Sequence, residues 1–433
     1  MRWRLIFAAG ACSLLAQDAT IRVDVRQVLV PVVVTDKKGH HVSGLRASDF
    51  RILEDGVPQD IASFSSDTAG SVDDVAALSK ASSTTGPRHT FVICIDTLHA
   101  APSNAAHLRA ALENLFENEK PGEAQYVLIG IGRQLQVLQP ATTNPLAILL
   151  KVRSAAFQNA MGGLDASALS TQLQNIRTRM DEFCKRCACG TRSNQRNCDA
   201  EIDSLKQSID QDAEHWNAPT AQLVEQFKNV VEELAKLPTG RTLILVSDGF
   251  HINPRREFYG VVSAYLPNVA QFKLDDAKDA DPALLAALKV ASDRSVTIDT
   301  VDSRGGATAS LASTGSMDAA AGAPRPGNTS NLGISRTSAR TTGNIPPPTP
   351  PDSKLEESAS MEQLARATGG VYFHDSGKML NQLRTALADG RQYYVLSYVP
   401  KNSARDGQFR SITVEATGKN LNVRAKSGYW AAQ

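Results

Sequence analysis

The sequence predicts an α/β unit, with a parallel sheet covered by helices on both faces, set between two groups of strands that make a small β-domain. Three observations lead there. Apolar runs without alternation occur at "TFVICI" (90–95), "YVLIGIG" (126–132), "TLILVS" (242–247) and "VTIDTV" (296–301), as strands buried on both faces require. Helical patterns separate them, and strands alternating with amphipathic helices build a parallel sheet. Alternating, β-branched segments bracket the whole, at residues 20–64 and again after residue 392.

The chain opens "MRWRLIFAAGACSLLAQDAT". Arg2 and Arg4, an apolar stretch over 5–15 and the small Ala16 form the pattern of a secretory signal peptide, expected over residues 1–17. A transmembrane helix needs about 20 apolar residues, and Gln17-Asp18 arrive too soon. Residues 20–35, "TIRVDVRQVLVPVVVT", read as one or two strands, followed by a hairpin turn at "DKKGHHV" around Gly39. A second hairpin is expected in "DFRILEDGVPQDIASF" (49–64), at Asp55-Gly56. Residues 67–88, rich in Ser, Ala, Thr and Asp, read as a linker.

The α/β unit is expected over 89–392. Leu108, Leu112, Leu115 and Phe116 share one helical face, and Leu223, Val224, Phe227, Val230, Val231, Leu234 and Leu237 form a longer stripe. In "MEQLARATGGVYF" (361–373), Gly369-Gly370 stop a helix before one more short strand. Two insertions interrupt the pattern. Residues 303–353, ending in "IPPPTPPDS", have too little apolar content to offset the cost of ordering and are expected to be disordered. In 164–218, the spacing of Leu169, Leu173, Ile176, Met180 and Phe183, resumed by Ile202, Leu205, Ile209 and Trp216, predicts two antiparallel helices with one apolar seam. The tail, "YYVLSYVP", "FRSITVEA" and "LNVRAKSGYW", is too small a group of strands to stand alone. Residues 18–66 and 393–433 are therefore expected to pack together as one β-sandwich-like domain.

At 433 residues the chain is larger than a single core usually supports. With 46 basic and 45 acidic residues its net charge is +1, which gives no electrostatic footprint for nucleic acid or an anionic membrane. Cys184, Cys187, Cys189 and Cys198 sit at the tip of the helical insertion. In a reducing compartment four such thiolates would suit zinc, whereas export favours two disulfides. A Cys187–Cys189 bridge would be cramped, which leaves 184–187 with 189–198, or 184–189 with 187–198. Cys94, within an apolar strand, reads as a core residue.

In order along the chain, "DKKGHHVSGLRASDFRILEDG", "IDTLH", "SDG", "LARATGG" and "YVLSYVP" resemble the exported bacterial proteins with a von Willebrand factor type A-related domain of the acidobacterial type. The resemblance implies a doubly wound, Rossmann-like sheet with a divalent-cation site outside the carboxyl ends of its strands. There a first loop Asp-x-Ser-x-Ser, a Thr from a second loop and an Asp from a third supply oxygens to Mg²⁺, and a partner's carboxylate completes the shell. Asp96 matches the first Asp and Asp248 the last, but Leu98 and Ala100 occupy the serine positions. Leu164 stands in the place of the Thr, with Asp165 or Ser167 as substitutes. Such a site would hold Mg²⁺ only weakly, so it is expected to be vestigial and no cofactor is expected.

The function expected from these features is an exported, non-enzymatic protein-interaction or adhesion module, periplasmic or extracellular. Its contact rim would be residues 96–104 and 248–257, and His99, Arg255, Arg256 and Tyr259 would meet a protein partner. One alternative is a hydrolase on the same rim, since Thr97, His99 and Asp248 bring a hydroxyl, a base and an acid, although the Gly-x-Ser-x-Gly signature is absent. A convergent set of such groups would favour that reading. The other alternative is a structural component of the cell envelope.

Overall fold

The computed structural model describes residues 27–66, 89–161, 166–187, 189, 198–237, 240–250, 255–273, 282–304, 353–374, 378–418 and 420–432. The expected signal peptide, the linker 67–88 and nearly all of the insertion 303–353 lie outside these residues, as do Leu164, Asp165 and the side chain of Ser167.

The first strand, β1 (Val28–Asp36), has both faces occupied. Val28, Val30, Val32 and Val34 point into the β-domain core, while Leu29, Pro31 and Val33 face the α/β unit. The Gly39 turn follows as expected, with φ 84°. β2 (Phe50–Glu54) and β3 (Val57–Gln59) form the hairpin predicted at Asp55-Gly56, whose φ values of 49° and 79° suit those residue types. β4 (Ile61–Ser66) ends the N-terminal group.

The α/β unit begins with β5 (Thr90–Asp96), α1 (Pro102–Glu117) and β6 (Gln125–Ile131). Then β7 (Gln136–Thr142) turns back beside β6, an edge strand that no apolar run announced. α2 (Pro145–Arg153) and α3 (Ala155–Ala160) follow, capped by the side chains of Asn144 and Ser154. The helical insertion is α4 (Ala166–Cys187) and the first half of α5 (Asp199–Ala235). The boundary expected at residue 218 falls inside this single 37-residue helix, which continues through Pro219. The remaining elements are β8 (Arg241–Ser247), α6 (Arg255–Tyr265), α7 (Pro282–Arg294), β9 (Thr297–Asp302), α8 (Ser353–Thr368), β10 (Tyr372–Phe373) and α9 (Met379–Asp389).

The six-stranded sheet has the order β10-β9-β8-β5-β6-β7, parallel throughout except for β7. Numbered from β5, that is the doubly wound order 3-2-1-4-5-6, which reverses between β5 and β8. The doubly wound α/β sheet expected from the resemblance is present. One face of the sheet is covered by α1, α2, α3 and α9, the other by the second half of α5 with α7 and α8.

The insertion also differs from expectation in its packing. Its seam of Ile176, Met180, Phe183, Ile202 and Ile209 is not closed by two helices alone. Phe258, Tyr259, Val261 and Val262 of α6 pack into it as a third layer. The first two helices leave an apolar stripe wider than one antiparallel partner covers.

β11 (Tyr394–Tyr398), β12 (Phe409–Ala416), β13 (Leu421–Ala425) and β14 (Gly428–Trp430) complete the fold. They join the N-terminal strands in two four-stranded antiparallel sheets, β13-β1-β11-β4 and β14-β12-β2-β3. Each sheet mixes strands from both ends of the chain, as the inserted arrangement requires. The two units are tied by polar contacts: the Lys426 ammonium, 2% exposed, donates to Ser292 O (2.7 Å), and the Ser295 hydroxyl donates to Leu29 O (2.9 Å).

Candidate functional site

The carboxyl ends of β5 and β8 lie side by side at the point where the strand order reverses, the usual ligand position in an open α/β sheet. β5 delivers Asp96 there and β8 delivers Ser247 and Asp248. Asp96 is fully buried. Its Oδ1 accepts the backbone N–H groups of Leu98 (2.9 Å) and His99 (3.0 Å). Its Oδ2 accepts the Ser247 hydroxyl (2.6 Å) and lies 2.7 Å from His99 Nδ1. Burial opposes its charge, but the neighbouring imidazole, the hydroxyl and the backbone N–H outweigh it and hold the carboxyl below its ordinary range.

Asp248 is filled in the same manner. Its Oδ2 accepts from Ala101 N and Asn104 Nδ2, both at 2.8 Å, so it caps the start of α1. Its Oδ1 accepts the Ser303 hydroxyl from the end of β9 (2.5 Å). Burial pushes this carboxyl up, with the Asp96 charge adding to the rise and the three donors opposing it.

Leu98 and Ala100, at the two serine positions, are 3% and 4% exposed, and Leu98 packs in the core between the sheet and α5. A hard cation needs about six oxygens. Both carboxylate oxygens of Asp96 and of Asp248 already accept from the protein. Among the described residues no group of three or more His, Cys, Asp or Glu is placed to hold a metal ion. The described side chains do not fit Mg²⁺.

His99 was expected at the contact rim; it is turned inward. Its ring lies 6.1 Å from Phe250, nearly parallel, and its Nε2 meets the Thr220 hydroxyl of α5 at 3.0 Å. Asp96, His99 and Thr220 therefore form a continuous carboxylate–imidazole–hydroxyl chain. Thr220 follows Pro219 within α5 and is 8% exposed. The Thr97 hydroxyl, by contrast, donates to Ile131 O (2.9 Å) and does not join this set.

Tyr259, also expected at the rim, is 4% exposed and belongs to the interior. Its ring sits edge-on to Phe272, and its hydroxyl donates to Asp210 of α5 (2.5 Å). The apolar face of α6 is consumed by the helical insertion, and Tyr259 is part of that face. Arg255 reaches Asp210 (3.7 Å) and Glu214 (3.6 Å) of the same helix, and Arg256 is half-buried. Among the described residues at the rim, the side chains of Arg133, Gln134 and Leu135, in the loop after β6, are exposed. Gln226 of α5 fixes that loop with two hydrogen bonds to the backbone of Gly132.

The cysteines pair as Cys184–Cys189 and Cys187–Cys198, the second of the two arrangements left open by the spacing. They staple the end of α4 to the start of α5. Cys94 is a free, buried core residue.

No family profile matches the sequence, and no curated protein matches it. Solved structures do show similarity. An aerotolerance-related membrane protein from Bacteroides fragilis NCTC 9343, with multiple mutations to serines, aligns with 70% of this chain and 99% of its own at 10% identity and a TM-score of 0.32. BatB, a conserved hypothetical protein from Bacteroides thetaiotaomicron, aligns with 70% of this chain and 98% of its own at 11% identity and a TM-score of 0.31. The pilus adhesin SpaC from Lactobacillus rhamnosus GG, in an open conformation, aligns with 81% of this chain and 44% of its own at 8% identity and a TM-score of 0.32. At these values the likenesses assign neither a partner nor an activity to this chain.

Proposed function

We propose that the chain is an exported protein-interaction module, periplasmic or extracellular, that meets a protein partner through the loops at the carboxyl ends of its sheet and needs no divalent cation to do so. One observation carries this reading. The two carboxylates a cation would require are filled by internal donors: Asp96 by His99, Ser247 and backbone N–H, Asp248 by Ser303, Asn104 and backbone N–H. The protein itself thus holds the rim in shape. Arg133, Gln134 and Leu135 place a cation, an amide and an apolar side chain (40% exposed) together at the surface there, a mixture suited to a contact patch. Two disulfides fit an oxidising compartment.

The test is capture of a partner from envelope extracts on the immobilised protein. Capture should be the same in chelator as in millimolar Mg²⁺, and should fall at least about tenfold for the double variant Arg133→Glu/Leu135→Asp, the loss of roughly 1.4 kcal/mol. Chelator-sensitive capture would refute the cation-free rim. Unchanged capture by the double variant would move the contact elsewhere.

A second reading follows from the Asp96–His99–Thr220 chain, whose order of acid, imidazole and hydroxyl is that of a nucleophilic hydrolase. Against it, the hydroxyl is almost fully buried inside a helix, where a substrate carbonyl has no approach. Activated esters decide between the two. Hydrolysis that disappears in Thr220→Val would establish the enzyme, and no turnover is expected.

A further inference from the structure

At the other end of the six-stranded sheet, where the amino ends of β8 and β9 meet the β-domain, lies a cavity of about 40 Å³. That is room for about two waters. Pro31 and Arg424 line it from the β-domain, and Arg241, Asp299 and Asp389 line it from the α/β unit. Two carboxyl groups therefore line one junction. Asp389, at the end of α9, is met by two β-domain side chains: His41 Nε2 at 2.7 Å and Arg424 at 2.6 Å.

Asp299 is not met in that way. It is 1% exposed, its Oδ1 accepts Val371 N–H (2.8 Å), and its Oδ2 is buried with no hydrogen-bond partner. Close packing keeps it enclosed, since a Cβ on Gly370 would lie 2.0 Å from Ile298 O and 2.9 Å from Asp299 Oδ1. Arg241 lines the same cavity but does not donate to Asp299: its two terminal nitrogens go to the carbonyls of Ala235 (2.6 Å) and Arg294 (2.7 Å), and its Nε is buried without a hydrogen-bond partner. A buried carboxylate oxygen without a donor is costly, and a carboxyl so placed keeps its proton instead.

We propose that Asp299 makes the junction between the β-domain and the α/β unit a proton-dependent clamp, closed while Oδ2 carries a proton and loosened when that proton leaves. The surroundings support the direction. Burial and the nearby Asp389 carboxylate push the Asp299 pKa up to about 7, with Val371 N–H and the Arg424 charge acting the other way. The charged and titratable groups around it are Asp389 from α9, Arg424 from β13, His41 from the loop after β1, Arg241 from β8 and Tyr393 before β11. His41 and Arg424 hydrogen-bond to Asp389, and neither donates to Asp299.

The sign follows from linkage. An exposed Asp loses its proton near pH 3.9, whereas Asp299 in the closed junction keeps it to about pH 7. The closed form is fully favoured below about pH 4, is weakened up to about tenfold per pH unit from there to about 7, and changes no further above that. The orientation of the rim relative to the β-domain thus becomes firmer in acid. This holds whichever partner the rim meets.

Hydrogen exchange of the full chain, read on peptides covering residues 28–36 and 421–425 and corrected for intrinsic rates, tests the clamp. The opening equilibrium should rise at least about tenfold between pH 5 and pH 8 in the wild type, and stay within about twofold in Asp299→Asn, which keeps the acceptor for Val371 and removes the charge. Equal opening at both pH values in the wild type would overturn the proposal, as would a pH response retained by Asp299→Asn. The Asp299 carboxyl carbon resonance in the wild type gives a second reading that needs no variant. A midpoint near 7 supports the clamp, and one near 4 ends it.

Discussion

A carboxylate with no exposure needs its charge met from within, and at Asp96 a histidine three residues on does this. The ring at His99, the hydroxyl at Ser247 and two N–H groups use all of the oxygen lone-pair directions a cation would want. Millimolar Mg²⁺ should therefore leave the melting temperature of the protein unchanged, since a ligand at 100 times its Kd would add about 2.7 kcal/mol. A large upward shift abolished by Asp96→Ala would contradict this. Conversely, His99→Ala should cost about 3–5 kcal/mol, the usual result of stripping one partner from a buried pair, measured by urea unfolding at pH 7. At this scale the sequence was legible where a strand ended: Asp96 and Asp248 could be placed from the apolar runs before them. Thr220 could not, because it lies 121 positions from His99 in a helix whose pattern speaks only of packing. Tyr259 misled for a related reason. An aromatic near a loop resembles a contact residue until the helix that covers it is known.

Among the elements, the cysteine-stapled insertion shows how much a period can and cannot say. The spacing of Ile176, Met180 and Phe183 identified an apolar stripe, but a stripe does not name its partner, and α6 proved to be the third layer. β7 was missed because an exposed edge strand with Pro140 and Gln136, Gln139 at its surface carries little alternation. The third layer changes what reduction of the disulfides should do. With Phe258 and Val262 fully buried against α4 and α5, opening both bridges should loosen only the turns near residues 184–198. Each short loop constrains the unfolded chain by roughly 3 kcal/mol at most. Circular dichroism should show helix content within about a tenth of the oxidised value after reduction. Phe258→Ala should loosen the packing of α4 and α5 themselves, at about 3–5 kcal/mol. If reduction instead melts α4 and α5 together, the α6 layer is not what holds them.

For the molecule as a whole, the decisive feature is that neither β-sheet can be completed by one end of the chain. β1 lies between β11 and β13, and β2 lies between β3 and β12. Deleting residues 393–433 should bare the valine face of β1 together with Phe50 and Ile52, and an apolar surface of that kind drives association. Size-exclusion chromatography of the truncated protein should show aggregates; a monomer with unchanged β-content would contradict the interleaved sheets. This architecture was legible because the change of texture from alternating to fully apolar runs, and back again, is a property of whole segments. The junction between the units was not, since Asp299, Asp389, His41 and Arg424 are brought together by topology alone.

The same interleaving sets an order of events in time. During synthesis β1 and β2 emerge before the strands they pair with, so Val28 must wait for Tyr398 and Ile52 for Val414. Everything from β5 to α9 can collect its own neighbours in the interval, whereas the earliest strands remain unpaired until the last ones arrive. Contacts so distant along the chain close slowly. Pulse-labelling exchange during refolding should therefore protect the amides of β5, β6 and β8 before those of β1. A nascent chain of this design leaves its first strands exposed for longest, and a holding chaperone would have its greatest effect on the N-terminal sixty or so residues.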